Sequence, residues 1–450
     1  MAAGGYIGRV SSTSVSPLRP FRHRAYLIVW LGAFVSNIGT WMETIAVGVY
    51  VTEATGQAGW TGTTAALTFL PTVVLGPFAG ALADRFDRRR YMAVITLVQA
   101  ALAVALAVLA ATDQLTVGLV AVIVLGAGCA LAFLIPAWSA ILPDLVPPED
   151  VLGATSLSQA QFNLGRVVGP ALAGIVIAAG GLAWAFGANA LTFVAVLASI
   201  ALIRLPRPEK EAGPVRVLAA IKGGLGFASR DPGVRTALAM LGAMAVLVSP
   251  FIGLVPAVAI KVFGAGAAGT SALVTAQGVG AVLAAVAAGP LAARFTSRRV
   301  LVAALTVVGP AAVVYGLAPA FPLAVAALFV LGFVYLSVLS GVSAVCQLRA
   351  PRELRARVAS LFMLVLGAGY PLGLVIQGWL GDRVGLRLVT TVGGLALLAI
   401  VVTVRLAAPA AVASMTPAEQ PSAARAPGPE GGAAPAPGAP AVAPEERPGR

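Results

Sequence analysis

Residues 80–90 read GALADRFDRRR and residues 289–299 read GPLAARFTSRR. Gly80, Leu82, Ala83, Arg85, Phe86, Arg89 and Arg90 of the first stretch match Gly289, Leu291, Ala292, Arg294, Phe295, Arg298 and Arg299 of the second. Fainter echoes keep a similar offset. Val124-Leu125-Gly126 returns as Val330-Leu331-Gly332, and Pro148-Glu149-Asp150-Val151 as Pro351-Arg352-Glu353-Leu354. An apolar run that ends twice in the same arginine cluster marks a chain built from two related halves.

The runs outside these loops say where the halves reside. The chain has 450 residues, of which 59% are hydrophobic and 10% charged, with a mean hydropathy of +0.94. An average soluble domain carries about 25% charged residues. A chain this apolar cannot hide its surface in one water-soluble core, so the bilayer is its solvent. The net charge of +13 would suit nucleic acid. Its arginines, however, sit in short runs between apolar stretches, with no aromatic-interleaved basic module, so no nucleic-acid partner is expected. Cys129 and Cys346 lie far apart inside apolar runs, with no metal-ligand spacing. No metal or cofactor is expected. The N-terminal stretch lacks the pattern of a cleavable signal peptide.

Windows of about 20 apolar residues, punctuated by Gly, Pro and charge, predict twelve membrane-spanning helices. They fall at about 25–51, 60–83, 91–111, 115–142, 154–179, 182–204, 234–261, 266–293, 300–318, 321–346, 357–380 and 386–405. The fold class is therefore all-α and polytopic, two six-helix repeats. The predicted organisation is an N-terminal segment 1–24, a bundle 25–205, a central loop 206–233, a bundle 234–406 and a disordered Ala/Pro/Gly-rich tail 407–450. Within the central loop, Leu218, Ile221 and Leu225 recur at helical spacing among Arg216 and Lys222, as in a helix lying on anionic lipid or in an ordinary loop helix. Orientation follows from charge. Arg19, Arg22 and Arg24 precede span 1, Arg85 and Arg88–Arg90 follow span 2, Arg294, Arg298 and Arg299 follow span 8, and Arg349, Arg352, Arg355 and Arg357 cluster before span 11. The opposite loops carry only Lys261, Arg383 and Arg387. Positive loops stay in the cytoplasm, which places both termini there, in a multi-pass protein of the cell membrane.

The loop at 80–90 resembles the signature between helices 2 and 3 of the major facilitator superfamily, roughly G-x-x-x-D-R-x-G-R-R, with Asp87 standing where the broad pattern has Gly. Phe21-RHRAYLIVWLGAFVSNIGTW, Leu70-Pro71 and Asn163-LGRVVGPALAG are similar to its branch of secretion-type exporters, which includes enterobactin exporters and macrolide efflux proteins. The resemblance covers residues 20–406. It implies the major facilitator fold, alternating access and export of a small molecule, with the chain expected to act as a monomer.

Asp84 can accept hydrogen bonds from neighbouring arginines and face a helix N-terminus. By resemblance it latches the halves on the cytoplasmic side together with Arg85, Arg88 and Arg89, against Arg355 and Arg357 at the start of span 11. Its counterpart in the second half is Ala293, so such a latch is one-sided. Gly165, Gly169, Pro170 and Gly174 resemble the antiporter motif of helix 5, which favours efflux. The same glycines suit an ordinary close-packing seam between helices. Two charges fall at membrane depth, Glu43 in span 1 and Arg166 in span 5. Such charges cost several kcal/mol and face a cavity or a partner. Counting along the helices puts Arg166 near the midplane and Glu43 nearer the outer face, so the two need not touch. Glu43 is the candidate for exchanging a proton, with an interfacial glutamate beside Trp41 as the alternative; Arg166 is the candidate for an anionic substrate group or for bracing carbonyls. The arginine usual in helix 4 of drug–proton antiporters is missing, so protons, if they drive transport, use other groups. Spans 1, 4, 7 and 10 line the cavity in the family fold, which nominates Asn37, Trp138 and Tyr335. A largely apolar cavity suits an amphipathic solute.

Other classes lack their chemistry. Lys210, Lys222 and Lys261 complete no G-x-x-x-x-G-K-[ST], and there is no H-E-x-x-H or G-x-S-x-G, with His23 the sole histidine. The chain is not expected to be an enzyme. Its substrate is a small molecule, with protons and membrane lipids as further partners. The alternative is a relative of the same fold that does not export: an importer, a lipid handler or a signalling protein. Asp84→Asn is expected to cut transport and shift the conformational equilibrium while leaving membrane insertion intact; unchanged transport at normal expression would remove the latch.

Overall fold

In hydrocarbon no water satisfies the backbone, so each apolar run must close its hydrogen bonds internally and becomes a helix. The computed structural model describes residues 18–83, 86–203 and 217–416, leaving out the side chains of residues 217–221, Pro77 and Ala81. Asp84, Arg85 and the tail beyond Thr416 lie outside it.

The first four spans are separate helices, α1 (Arg24–Thr55), α2 (Ala58–Ala83), α3 (Arg88–Ala111) and α4 (Val117–Ile141). Their ends are set by local chemistry. Gly56, at φ 63°, takes the left-handed conformation that closes α1 and turns the chain into α2. The Asp87 carboxylate accepts from the Arg90 N–H at the start of α3, and Thr116 Oγ1 accepts from the Leu119 N–H at the start of α4. Spans 5 and 6 share the label α5 (Val151–Leu202) but are two arms. The chain reverses at Gly181, where φ 75° and ψ −171° admit only glycine without strain, so that Ala154 and Ser199 both lie against the first part of α1, at Tyr26 and Gly32. The break expected between residues 179 and 182 is this turn.

The central helix α6 (Val217–Arg230) precedes α7 (Pro232–Leu247) and α8 (Phe251–Lys261), which together make span 7. A single helix was expected here. Pro250 interrupts it, and the break at residues 248–250 frees carbonyls within the span, while α8 continues through Pro256. Gln377 answers them, donating through Nε2 to the Val246 and Leu247 carbonyls at 2.8 and 2.9 Å. The chain closes with α9 (Gly266–Arg294), α10 (Ser297–Leu317), α11 (Phe321–Arg349), α12 (Arg355–Val384), α13 (Leu386–Ala407) and the short α14 (Pro409–Ala413). Splitting α5 at its turn and joining α7 to α8 gives twelve crossings in two sets of six, the major facilitator architecture. The expected tail boundary at 407 is too early. Met415 is buried at 2% exposure, and Arg349 Nη1 donates to the Thr416 carbonyl at 3.1 Å, tying this segment to the second half.

Among the described residues, the loops rich in arginine fall at one end of the bundle, the basic end, where the starts of α1, α3, α5, α7, α10 and α12 lie. Each half staples itself there. In the first, the 3-10 turn Pro148–Asp150 that leads into α5 brings the buried Asp150 against His23 Nε2 at 2.8 Å and Arg19 Nε at 3.3 Å. Arg88 reaches Asp144 at 2.8 Å. In the second, Asp231 caps α7 through the Val234 N–H at 2.8 Å and takes a two-pronged bond from Arg349 at the end of α11, at 2.9 and 2.8 Å. Burial pulls the Asp231 carboxyl upward, but the Arg349 hydrogen bonds and the helix N–H groups outweigh it and hold it below the ordinary carboxylate range.

A carboxylate depressed in this way stabilises the fold above its unfolded-state pKa, and that contribution disappears as pH falls through the folded value. Asp231→Asn should therefore lower the Tm in detergent, at a cost of about 1–3 kcal/mol. The gap to wild type should stay constant from neutral pH down to about 5 and close below about 4. A gap independent of pH would show that charge at Asp231 plays no part.

Candidate functional site

Along α2 and α12 the two halves meet at the end away from the basic loops. Gly62 lies against the Leu374 carbonyl, and Gly378 against the Ala58 carbonyl and Gly59, so the helix backbones touch. At the tip, the Asp382 carboxylate of α12 accepts from the first two free N–H groups of α2, Ala58 at 2.8 Å and Gly59 at 2.7 Å. Lys261 at the end of α8 donates to the same carboxylate at 2.6 Å. One turn inward Trp379 Nε1 donates to Thr63 Oγ1 at 3.2 Å, with Trp60 and Trp379 in ring contact. An anion at a helix N-terminus, held in turn by a lysine, is a charge-assisted brace joining the halves.

The helices part toward the basic end. Contact persists through Phe69 with Tyr370, ring centroids 5.5 Å apart, and Val73 with Gly367. Beyond it Val74 and Phe78 of α2 are 57% and 66% exposed, and Met363 of α12 is 65% exposed. A Cβ placed at Gly76, Gly80 or Gly289 would meet nothing within 4 Å. Among the described residues, every ion pair at the basic end stays within its own half.

Of the expected latch group, the structure therefore shows Arg88 on Asp144, Arg89 Nη2 on the Ala201 carbonyl at 2.6 Å, and Arg355 Nε on the Ala350 carbonyl at 3.3 Å. Arg357 lies against Gly223 and Gly224 of α6. None of these four bridges the halves here, and Asp84 and Arg85 lie outside the described residues. The helix 5 glycines are close-approach points. Gly165 meets Asn37 and Gly169 meets Trp41, both on α1, whereas Gly174 meets Ser271 of α9 across the halves. Pro170 is buried beside them.

Glu43 and Arg166 diverge. The α1 face carrying Asn37 and Trp41 packs on α5. Glu43, two residues past Trp41, points about 200° round the helix and accepts from Asn189 Nδ2 in the second arm of α5 at 2.6 Å. Arg166 falls midway between the start of α5 and its turn. Its guanidinium carbon is 5.6 Å from the Trp41 ring centroid, and the hydroxyls of Tyr335 (α11) and Tyr370 (α12) lie within its electrostatic reach. Tyr335 in turn sits edge-on to Phe251, centroids 5.9 Å apart. The site thus gathers Asn37, Trp41, Arg166, Tyr335 and Tyr370 from both halves. Trp138 stands apart, packed near the basic end of α4 with the first half's own apolar cluster. A groove of about 610 Å³ between α5 and α9 is apolar and lined by Gly174, Ile175, Ser271 and Thr275; it does not include Arg166.

Asp382, Lys261 as its partner, Trp41 and Tyr370 were not among the residues singled out from sequence as candidate site groups. Asp382 carried a usable signal. Gly378-Trp-Leu380-Gly-Asp382-Arg383 repeats the spacing of Gly80-Ala-Leu82-Ala-Asp84-Arg85, on a helix that ends on the opposite face of the bundle.

Residues 15–431 match the family model described as transmembrane secretion effector. The chain belongs to this branch of the major facilitator superfamily. Among its relatives, macrolide efflux protein A of Streptococcus pyogenes is 27% identical over 80% of this chain and 90% of its own length. The multidrug efflux pump Tap of Mycolicibacterium fortuitum is 28% identical over the same shares. The enterobactin exporter EntS of Salmonella typhi is 30% identical over 80% and 86%. Solved structures share the fold. A bacterial homologue of the human lysosomal transporter Spinster, in an inward-facing and unoccupied conformation, aligns with a TM-score of 0.66 at 15% identity over 88% of this chain and 97% of that one. The nucleoside transporter NupG aligns at 0.66 and 13% over 87% and 98%. The chain is thus a multi-pass membrane transporter of the superfamily, with efflux proteins as its relatives.

Removing the Asp382 carboxylate leaves two helix N–H groups and a lysine without their acceptor. Charge-assisted hydrogen bonds are worth about 1.5–3 kcal/mol each, enough to change an opening equilibrium about tenfold or more. In a background with Cys129 and Cys346 replaced by serine, a cysteine introduced by Leu374→Cys, buried between α2 and α12, should react with maleimide at least about tenfold faster when Asp382→Ala is added. Equal rates would show that the brace does not hold this end shut.

Proposed function

We propose that this protein exports an amphipathic small molecule across the cell membrane by alternating access, driven by protons. The observation that carries the reading is the asymmetry of contact between the halves. They are braced at one end by Asp382 and parted at the other, around a charged residue midway along α5. The distribution of arginines supports a cytoplasmic basic end, with both termini there, which makes the observed shape open to the cytoplasm, ready to load cargo for export. The mirrored state would close the basic end. There Asp84, Arg85, Arg88, Arg89, Arg355 and Arg357 supply the opposing charges, and the Gly80 and Gly378 motifs act as two latches, one for each state.

Relatives that carry macrolides, several drugs and enterobactin favour efflux of bulky amphipathic compounds, as does the aromatic lining from Trp41, Tyr335 and Tyr370. Glu43 is the leading proton carrier. It is a half-buried carboxylate whose one hydrogen bond comes from a neutral amide, so gaining or losing a proton would change its tie to α5. The helix 5 motif at Gly165, Gly169, Pro170 and Gly174 lets α5 slide closely on α1 and α9 as the halves rock.

Cells expressing the protein should accumulate less of a labelled macrolide or of a catechol siderophore than cells lacking it. A protonophore, and separately Glu43→Gln, should raise accumulation to the control level. Efflux that survives both would refute proton coupling, and accumulation unaffected by the protein for every compound in a broad drug and siderophore panel would refute export.

A further inference from the structure

Arg166 carries a positive charge that the described structure leaves without a counter-ion. A guanidinium keeps its proton at any physiological pH, and a charge at membrane depth costs several kcal/mol unless something compensates it. No carboxylate among the described residues pairs with it. The other charge at membrane depth, Glu43, is turned to the other face of α1 and taken up by Asn189. The buried Nε of Arg166 has no hydrogen-bond acceptor. The group's contact is aromatic, the Trp41 ring on its own side, and Tyr335 and Tyr370 of the opposite half lie within Coulombic range of it, paired edge-on with Phe251 and Phe69. Trp41 holds the cation by its ring face but brings no negative charge.

Resting on the transport reading above, we infer that Arg166 binds the acidic group of the cargo, and that the cargo class is an organic anion, a carboxylate or acidic phenol attached to a flat apolar body. The planar fork of a guanidinium matches a carboxylate with two parallel hydrogen bonds. Rings from α1, α11 and α12 sandwich the apolar part, and the tyrosine hydroxyls donate to the same anionic oxygens. Because Arg166 belongs to one half and the tyrosines to the other, an anion between them draws the halves together at the midplane and makes loading part of the conformational change. A cationic cargo would meet the charge of Arg166 head-on, and a neutral one would leave it uncompensated.

Three matched probes test this: 2-naphthoate, 2-naphthamide and 2-naphthylmethylammonium. Binding to the purified full-length protein is measured by equilibrium dialysis, and transport in proteoliposomes. Wild type should bind naphthoate about tenfold or more tightly than the other two. Arg166→Gln should erase that preference, Arg166→Lys should keep part of it, and Trp41→Phe should weaken naphthoate while leaving it preferred. The wild-type ranking needs no variant to fold. The inference is overturned if naphthamide or the ammonium probe binds as well as naphthoate, if none of the three binds at millimolar concentration, or if chloride displaces naphthoate as effectively as naphthoate itself. If naphthoate is preferred but none of the three moves, the transport reading fails and the anion site stands. If the amide or amine moves as fast as naphthoate and Arg166→Gln changes nothing, transport stands and the anion site falls.

Discussion

The free N–H groups that begin a helix are positive and unsatisfied, and deep in a membrane protein they need an acceptor. At α2 that acceptor is not on the same half of the molecule. Asp382 reaches across from α12, takes the first two N–H groups of α2 and is itself held by Lys261. Glycines at 59, 62 and 378 let the backbones come close enough for this to happen. Two otherwise separate six-helix bundles are thereby pinned at one end, and every other feature of the architecture follows the pin. The helices diverge from it, the central residues face each other just below it, and the basic loops at the far end are left to staple their own halves.

That division of labour has a simple energetic basis. Bonds that hold a half together, such as Asp231 with Arg349 and Asp150 with His23 and Arg19, persist through any rocking motion and can be strong. In the alternating-access cycle proposed above, bonds between halves are made and lost, so they should be few and placed at the ends where leverage is greatest. Asp382 adds a handful of polar contacts to the close small-residue packing of α2 on α12 and of α5 on α9. The repeated Gly-x-Leu-x-Asp-Arg spacing at 80–85 and 378–383 puts the same chemistry at the two opposite ends of the molecule.

The site midway between the ends combines a fixed cation with aromatic walls contributed by both halves. Aromatic side chains bring large apolar area with little rotamer freedom to lose and tolerate varied shapes, which suits efflux relatives of differing cargo. Arg166 is the charge within the site among the described residues. Glu43 faces the second arm of α5, so the two charges at membrane depth occupy separate sides of α1.

Much of this was legible in the amino-acid chain. Apolar run length dictated the crossings, because hydrocarbon leaves the backbone no alternative to a helix. The doubled Gly80 and Gly289 loops revealed two halves, and arginine placement gathered the basic loops at one end. The depth of Arg166 and the separation of Glu43 from it came from counting along helices. Tertiary structure alone decided the rest, because which groups meet depends on helix rotation and on contacts between residues far apart in the chain. It broke span 7 where Gln377 could supply the freed carbonyls, carried Trp138 away from the central site, brought Tyr370 into it, and folded residues 409–416 onto the second half through Met415 and Arg349. Above all it gave Asp382 its meaning. An aspartate near the end of an apolar helix reads as an ordinary loop charge until the N-terminus of α2, more than three hundred positions earlier in the chain, is seen resting on it.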